Sequence, residues 1–148
     1  MKVLFDVDEV IADFVGGVLD AVRDELGFDF HHDHVTQWDI RESLGFTREQ
    51  WAPVQERIIA PGFASSLRPL PGAVDVVKSI ASRHDVYFVT SHYRSSQTWV
   101  HERDDWLERK FGHTLGGRVV HTAHKHLIAG DVLVDDKPEN VEKWWLKK

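Results

Sequence analysis

Two pairs of carboxylates each follow directly after a short apolar run of the sequence. Asp6 and Asp8 follow the first run, and Asp135 and Asp136 follow the last. Carboxylates brought together repel, because two unit charges about 4 Å apart interact with about 4 kcal/mol at an effective dielectric near 20. A hard divalent cation neutralises such a cluster, and oxygen ligands of this type suit Mg²⁺. The two pairs therefore predict a magnesium site, provided that the fold brings them together.

Hydroxyls and an amine occupy the corresponding positions after the other apolar runs. Thr90 and Ser91 follow the second run, and Lys125 lies in the segment after the third. Hydroxyls donate hydrogen bonds to phosphate oxygens, and an ammonium group neutralises their charge. Since Mg²⁺ commonly shares its ligands with a substrate phosphate, the metal, hydroxyls and amine together predict a phosphate site.

The spacing of the first acid pair indicates a reaction at that phosphate. A carboxylate such as Asp6 can attack phosphorus and form an aspartyl-phosphate. A second carboxyl group two residues away, Asp8, can protonate the leaving oxygen and later activate water. We therefore expect phosphoryl-transfer chemistry, with Asp6 as the nucleophile and Asp8 as the general acid and base.

The apolar runs themselves predict the sheet that positions these groups. Each run is short, continuous and rich in β-branched or aromatic residues, which is typical of parallel strands covered on both faces. The runs are Val3–Phe5, Val86–Val89, Arg118–His121 and Val132–Val134. Parallel strands end at one common edge, where open α/β sheets bind their ligands, so the polar groups should meet there.

Helical periodicity separates the strands and predicts an α/β fold with a parallel sheet between two helical layers. Core helices are expected over residues 71–82, 96–111 and 138–145. Residues 16–69 interrupt the alternation, with helices predicted at 14–26, 42–44 and 47–59, the last opened by a capping box at Thr47 and Gln50. We therefore divide the chain into a core of residues 1–15 and 70–148 and a small helical cap of residues 16–69 inserted after the first strand.

Composition excludes several classes of function. The 148 residues carry a net charge of −6, which argues against a nucleic-acid polymer as partner. The chain has no cysteine, which excludes a disulfide scaffold and a thiol nucleophile and fits a cytoplasmic location. We expect no export signal and no membrane association, because an acid interrupts the first apolar residues and no apolar run approaches the ~20 residues of a membrane span.

The motifs resemble those of the haloacid-dehalogenase superfamily of phosphatases. DVDEV at 6–10, VTS at 89–91, Lys125 and VDD at 134–136 occur in that superfamily's order. Within it, the chain is similar to the 5'(3')-deoxyribonucleotidases over nearly its whole length. The resemblance implies a HAD-like Rossmannoid fold of three layers, α/β/α, and a Mg²⁺-dependent phosphatase.

Residue roles follow from this resemblance. It implies that Asp6 is both nucleophile and Mg²⁺ ligand, and that Asp8 is the acid/base and binds the metal through its backbone carbonyl. It implies that Asp136 binds the metal directly and Asp135 through water, although the order of that pair is left open. The residues that would hold the phosphate are Thr90, Ser91 and Lys125.

The resemblance also implies a pocket for the base and sugar, and it reveals departures from the family pattern. Phe14 and Phe46 match family positions that contact the nucleoside, whereas Ile58 or Ile59 stands where the family has a tryptophan. Glu9 replaces a frequent glycine, and His92 replaces a proline of the animal enzymes. Family members continue into another strand after the fourth motif, so Val132–Val134 is expected to be an exposed edge.

We therefore expect a phosphomonoesterase that acts on (deoxy)ribonucleoside monophosphates through an aspartyl-phosphate. The alternative is a phosphatase for another small phosphorylated metabolite such as a sugar phosphate, which the aromatic content of the insert disfavours. A receiver-type signalling domain is disfavoured because Lys125 precedes the last acid pair. The expected partner is a small nucleotide, and a homodimer is allowed for.

Overall fold

The computed structural model describes residues 1–148 and contains one parallel sheet in the strand order β3-β2-β1-β4. The strands are β1 (Lys2–Phe5), β2 (Asp85–Thr90), β3 (Val119–His121) and β4 (Val132–Val134). The predicted parallel sheet is thus confirmed. No helix of the chain is long and apolar enough to cross a membrane.

Seven α-helices complete the fold. They are α1 (Phe14–Leu26), α2 (Ile40–Ser43), α3 (Arg48–Ile59), α4 (Phe63–Ser66), α5 (Ala73–Ala81), α6 (Trp99–Gly116) and α7 (Pro138–Trp145). Short 3₁₀ helices lie at His32–His34 and Lys125–Leu127. Helices α1 to α4 fall between β1 and β2, which is where the helical insert was predicted.

Helices cover both faces of the sheet, as an α/β fold requires. Successive residues of β1 point to opposite faces of the sheet. Leu4 packs in a small cluster with Val89 and with Trp144 of α7. The other face of β1 contributes to the main core, whose further members include Val77 of α5 and Trp106 of α6.

Local sequence signals explain several helix ends. The Asp13 side chain accepts a hydrogen bond from Gly16 N at the start of α1, and Gly27 ends that helix in the left-handed region at φ 76°. The predicted capping box of α3 is present, with the Thr47 side chain and the Gln50 side chain each bonding the other residue's backbone. Helix α7 begins at Pro138, a residue whose fixed φ suits the first helical position.

Two predicted helix starts were wrong. Helix α6 begins at Trp99 rather than Ser96, because Ser96 N is bonded to Tyr93 O in a turn. It continues beyond Phe111 to Gly116 across a kink at Gly112, whose φ is 80°. Helix α5 begins at Ala73 rather than Pro71, because Gly72 adopts a left-handed φ of 76° just before it.

The central and edge strands differ strongly in burial. Val3, Leu4 and Phe5 of β1 are each at most 5% exposed. Val132 and Val134 of β4 are 38% and 36% exposed. Within residues 1–148, β4 is one of the two edge strands of the sheet.

Candidate active site

Asp6 lies at the carboxyl end of the central strand, directly after β1, and is 6% exposed. Its Oδ1 accepts a hydrogen bond from Val7 N at 2.7 Å, and its Oδ2 lies 2.6 Å from Lys125 Nζ. Lys125 is itself 2% exposed and also lies 2.6 Å from Asp135 Oδ2. One buried ammonium group therefore links the first and the last acid pair of the sequence.

Asp135 and Asp136 follow β4 but have different surroundings. Both Asp135 carboxylate oxygens accept hydrogen bonds, from Lys125 Nζ, from Lys137 N at 3.0 Å and from Asn140 Nδ2. Asp136 is exposed and lines the cavity described below. One oxygen each from Asp6, Asp135 and Asp136 lies within 4.8 Å of the others. This all-oxygen set fits a hard divalent cation such as Mg²⁺.

Burial dominates the electrostatics of these carboxyl groups. It raises the pKa of Asp6 to about 7, although the neighbouring Lys125 ammonium opposes the shift. Partial desolvation by the surrounding cavity also raises the pKa of the otherwise exposed Asp136, and the nearby charge of Asp135 adds to that effect. A bound cation would stabilise the ionised forms and oppose both shifts.

Asp8 forms an ion pair with a residue that sequence analysis did not single out. Its Oδ1 lies 2.5 Å from Nη2 of Arg103, which is carried by α6 and is fully buried. Burial raises the pKa of Asp8, and the Arg103 guanidinium counteracts the shift. The pair joins the loop after β1 to the middle of α6.

Glu9 shows why this position suits a glycine. Its φ is 59°, in the left-handed region that costs a residue with a Cβ roughly 1–2 kcal/mol. The Glu9 side chain accepts a 2.7 Å hydrogen bond from Val15 N in the first turn of α1. That bond satisfies one of the free N–H groups at the helix start and offsets part of the strain.

The two predicted phosphate-binding hydroxyls differ in accessibility. Thr90 is fully buried at the end of β2, and its Oγ1 makes only a long 3.4 Å hydrogen bond to Ser91 O. Ser91 lines the cavity, and its Oγ donates to Thr122 O at 3.2 Å.

A cavity of about 1160 Å³ lies above these groups, between the sheet edge and the helical insert. Asp6, Asp8, Asp136 and Lys125 form its floor. One face of α3 forms a wall, because its cavity residues follow helical spacing: Arg48, Trp51, Ala52, Gln55 and Ile58. Tyr93 and Trp99 of the core also line the cavity.

A contact at the cavity rim joins the insert to the core. The ring of Trp38 is 67% exposed and lies under the ammonium of Lys137, with Nζ 4.6 Å from the ring centroid. Both residues line the cavity. Tyr93 makes a second bridge, since its hydroxyl donates to Gln55 Oε1 of α3 at 3.0 Å.

The three residues predicted to contact the base and sugar are not all placed together. Phe14 and Ile58 line the cavity. Phe46 is not among the lining residues, and its ring packs against Phe28 and Trp51 at centroid distances of 5.6 and 6.0 Å. The structure thus brings Phe46 into the aromatic packing of the insert.

Sequence reasoning missed Tyr93, Trp99 and Arg103 as neighbours of the site. Trp99 was placed on a helix face without being linked to the cavity. Arg103 had a usable signal, because it falls on the same face of α6 as Trp99 and Trp106. A charge on an otherwise apolar helical stripe indicates a buried partner elsewhere in the fold.

Comparison with known proteins identifies relatives of this chain by sequence. A family model described as "5' nucleotidase, deoxy (Pyrimidine), cytosolic type C protein" matches residues 1–147. The cytosolic-type 5'(3')-deoxyribonucleotidase of Homo sapiens is 32% identical over 148 residues, covering 93% of this chain and 71% of that protein. The mitochondrial 5'(3')-deoxyribonucleotidase of Mus musculus is 33% identical over 148 residues, covering 94% and 66%.

A solved structure supports the fold. A haloacid dehalogenase-like hydrolase from Streptococcus pneumoniae superposes with a TM-score of 0.58 at 13% identity, covering 99% of this chain and 80% of that one. The α/β fold with a parallel sheet is therefore the HAD-like fold that the sequence motifs implied.

Proposed function

The chain belongs to the 5'(3')-deoxyribonucleotidase family of phosphoric monoester hydrolases, and from this membership we propose that it dephosphorylates (deoxy)ribonucleoside monophosphates. One observation carries the proposal. A buried carboxylate, Asp6, lies on the floor of a cavity beside a buried ammonium group and two further carboxyl groups, and the walls above it are aromatic.

In the first step, a carboxylate oxygen of Asp6 attacks the phosphorus atom of the ester. The bond between phosphorus and the ester oxygen breaks, its electron pair stays on that oxygen, and Asp8 supplies the proton that the departing alcohol needs. Lys125 and the Ser91 hydroxyl stabilise negative charge on the phosphoryl oxygens. The first product is the nucleoside, and phosphate remains bound to Asp6.

In the second step, water attacks the same phosphorus atom from the side that the alcohol left. Asp8, now ionised, accepts a proton from that water, and the bond between phosphorus and the Asp6 oxygen breaks. Inorganic phosphate leaves, and both carboxyl groups return to their starting states.

Asp6 and Asp136 are the residues that we propose as direct Mg²⁺ ligands. Asp136 is the better direct ligand of the second pair, because both carboxylate oxygens of Asp135 already accept hydrogen bonds from Lys125, Lys137 or Asn140. This supports a water-mediated role for Asp135. For the backbone carbonyl of Asp8 we propose the metal-binding role that the family resemblance implies. The bound cation would supply charge neutralisation between the carboxylates and the incoming phosphate.

The walls favour a nucleoside over a sugar as the remainder of the substrate. The partly exposed rings of Phe14 and Tyr93 line the cavity, and the largely buried Trp51 and Trp99 lie behind them. A nucleobase can stack on such rings and bury apolar area, whereas a sugar mainly offers hydroxyl groups. Gln55 of α3 adds one polar side chain to the cavity lining.

A substrate panel assayed with Mg²⁺ tests the proposal. We expect faster phosphate release from deoxyribonucleoside 5'- and 3'-monophosphates than from sugar phosphates at equal concentration, with D6N as the inactive control. Chelation of divalent cations should stop turnover, and added Mg²⁺ should restore it. Faster turnover of sugar phosphates would overturn the nucleotide assignment, and equal activity of D6N would overturn the mechanism.

A further inference from the structure

Arg103 occupies an unusual position for a charged residue. Its side chain is fully buried in the middle of α6, although arginine is rarely buried without partners. The guanidinium carbon lies 5.5 Å from the ring centroid of Trp99 and 5.6 Å from that of Trp106. The planar charged group is thus held between two indole rings, both of which are at most 2% exposed.

These rings are themselves fixed. Trp106 Nε1 donates a 2.7 Å hydrogen bond to Leu67 O. The Trp99 ring packs against Phe14, Phe63 and Tyr93 at centroid distances of 6.1, 6.1 and 5.6 Å. The guanidinium therefore has little freedom to move, and its position relative to the sheet edge is determined by the core.

The Arg103 side chain makes a single hydrogen bond. Nη2 donates to Asp8 Oδ1, while Nε and Nη1 are buried without a partner. Leaving two buried donors unsatisfied costs free energy, roughly 1–3 kcal/mol per group. The fold accepts this free-energy cost for a single hydrogen bond, which indicates that the contact between Arg103 and Asp8 has a function.

Asp8 stands between Arg103 and the cavity. Asp8 lines the cavity and Arg103 does not. Asp8 Oδ1 is bonded to Arg103, whereas Oδ2 makes no hydrogen bond within the protein. An oxygen that accepts from a guanidinium cannot also hold a proton along the same direction, so Oδ2 is the oxygen free to carry one.

We propose that Arg103 is a positioning residue, which anchors Oδ1 of Asp8 so that Oδ2 faces the leaving oxygen and the attacking water. This inference rests on the proposed function, in which Asp8 is the acid and base. In the first step the proton passes from Oδ2 to the ester oxygen as the P–O bond breaks. In the second step the proton of the attacking water returns to Oδ2.

The simpler interpretation is a buried ion pair that only stabilises the fold. Buried ion pairs contribute little net stability, because desolvation offsets the attraction between the charges. A merely structural pair would also lower all steps of turnover together when it is removed. The two interpretations therefore differ in which step of the reaction slows.

An aryl phosphate separates the steps, because an acidic phenol leaves without a proton from the enzyme. In R103M we expect the first turnover of such a substrate to stay within about twofold of wild type, while later turnovers slow about 100-fold. The phenolate trace then shows a burst. With a nucleotide, kcat falls about 100-fold and KM stays within about twofold, since Arg103 does not touch the substrate.

Two variants complete the experiment. R103K retains a positive charge at this position and should recover about tenfold of the kcat lost in R103M. R109M carries the same change on the same helix, where Arg109 is exposed and bonds Ser65 O, and should behave as wild type. In a D8N background, R103M should cause no further loss, because its effect passes through Asp8.

The outcomes are distinguishable. A normal R103M enzyme, an equal loss in the burst and in later turnovers, or an additional loss in the D8N background would each overturn the positioning role. If R103M fails to fold, R103K and the D8N/R103M double variant, which has no unpaired buried carboxylate, give the same comparison. A wild-type enzyme that releases no phosphate from nucleotides would instead overturn the proposed function itself.

Discussion

The floor and the walls of the cavity are built from different interactions. On the floor, Lys125 lies 2.6 Å from both Asp6 and Asp135, and Arg103 lies 2.5 Å from Asp8. The walls contain several aromatic rings, whose mutual contacts, such as Phe14 with Trp99, have centroid distances near 6 Å. The floor comes from segments that follow the strands of the core, and one wall comes from helix α3 of the helical insert.

This difference assigns separate tasks to the two regions. Ion pairs fix atoms to within fractions of an ångström and act on charge, which every phosphate monoester presents in the same form. Aromatic contacts tolerate small shifts and act on shape and apolar area, which differ among substrates. Changes on the floor should therefore abolish turnover, and changes on the walls should alter substrate preference.

The strongest test replaces the floor carboxylate with a group of the same size. D6N should lower kcat for nucleotides by at least about 1000-fold, because an amide cannot form the bond to phosphorus. Steady-state phosphate release measures the effect, and circular dichroism checks the fold. Residual activity above one tenth of wild type would show that Asp6 is not the nucleophile. Turnover would then not depend on the floor as we expect.

The same variant tests the electrostatics of the floor in the absence of divalent cations. The pKa of Asp6 is raised from 3.8 to about 7, so the folded state holds its proton more tightly than the unfolded chain does. Its contribution to stability is present at low pH and is lost as pH rises toward and through about 7. Wild type should lose roughly 2–3 kcal/mol relative to D6N between pH 5 and pH 8.

Urea unfolding of both proteins at several pH values, with a chelator present, measures that difference. D6N is the matched reference, because the other buried carboxyl groups titrate in both proteins. If the difference in the free energy of unfolding between the two proteins stayed constant from pH 5 to pH 8, the surroundings of Asp6 would not disfavour its ionised form.

Two phenylalanines test the role of the walls: Phe14 at the start of α1 and Phe46 of the insert. F14A should raise KM for nucleotides about tenfold and leave KM for a small aryl phosphate nearly unchanged, because Phe14 lines the cavity. F46A should instead lower stability, because its ring packs in the insert. Equal changes of nucleotide KM in the two variants would place Phe46 in the substrate pocket, as the family resemblance implied.

The smallest effect is expected where floor and wall meet at the rim. W38A removes the exposed ring under Lys137, a cation–π contact of about 0.5–1 kcal/mol. We expect KM for nucleotides to change about twofold, with kcat unchanged. A larger fall in kcat would show that the rim contact helps to place the loop that carries Asp136, and the two regions would then not act separately.

Local chemistry explains which parts of the fold the sequence predicted well. The bounds of α1 at Phe14–Leu26 and of α7 at Pro138–Trp145 agree with prediction, because Asp13, Gly27 and Pro138 mark their ends through short-range interactions. The acid pairs were predicted to meet because parallel strands share one edge, and Asp6 and Asp135 do meet through Lys125. The roles of these residues in catalysis stay predictions.

Long-range contacts account for what the sequence did not predict. The helical face indicated that Arg103 is buried, but its partner Asp8 lies 95 residues away in sequence and could not be identified from that pattern. Phe46 matched a family position, but its ring packs with Phe28 and Phe30. This placement depends on tertiary contacts within the insert. The start of α6 depends on a turn bond between Ser96 and Tyr93 that has no strong sequence signal.

The strand order has a consequence for biosynthesis. Strand β1 is made first, yet one of its two partners is β4, the last strand of the chain, and the other is β2. Contacts between such distant segments form slowly and only after both have been synthesised. Asp6 is therefore synthesised well before its counter-charge, Lys125, and before the second acid pair, and the charge cluster is complete only once β4 pairs with β1.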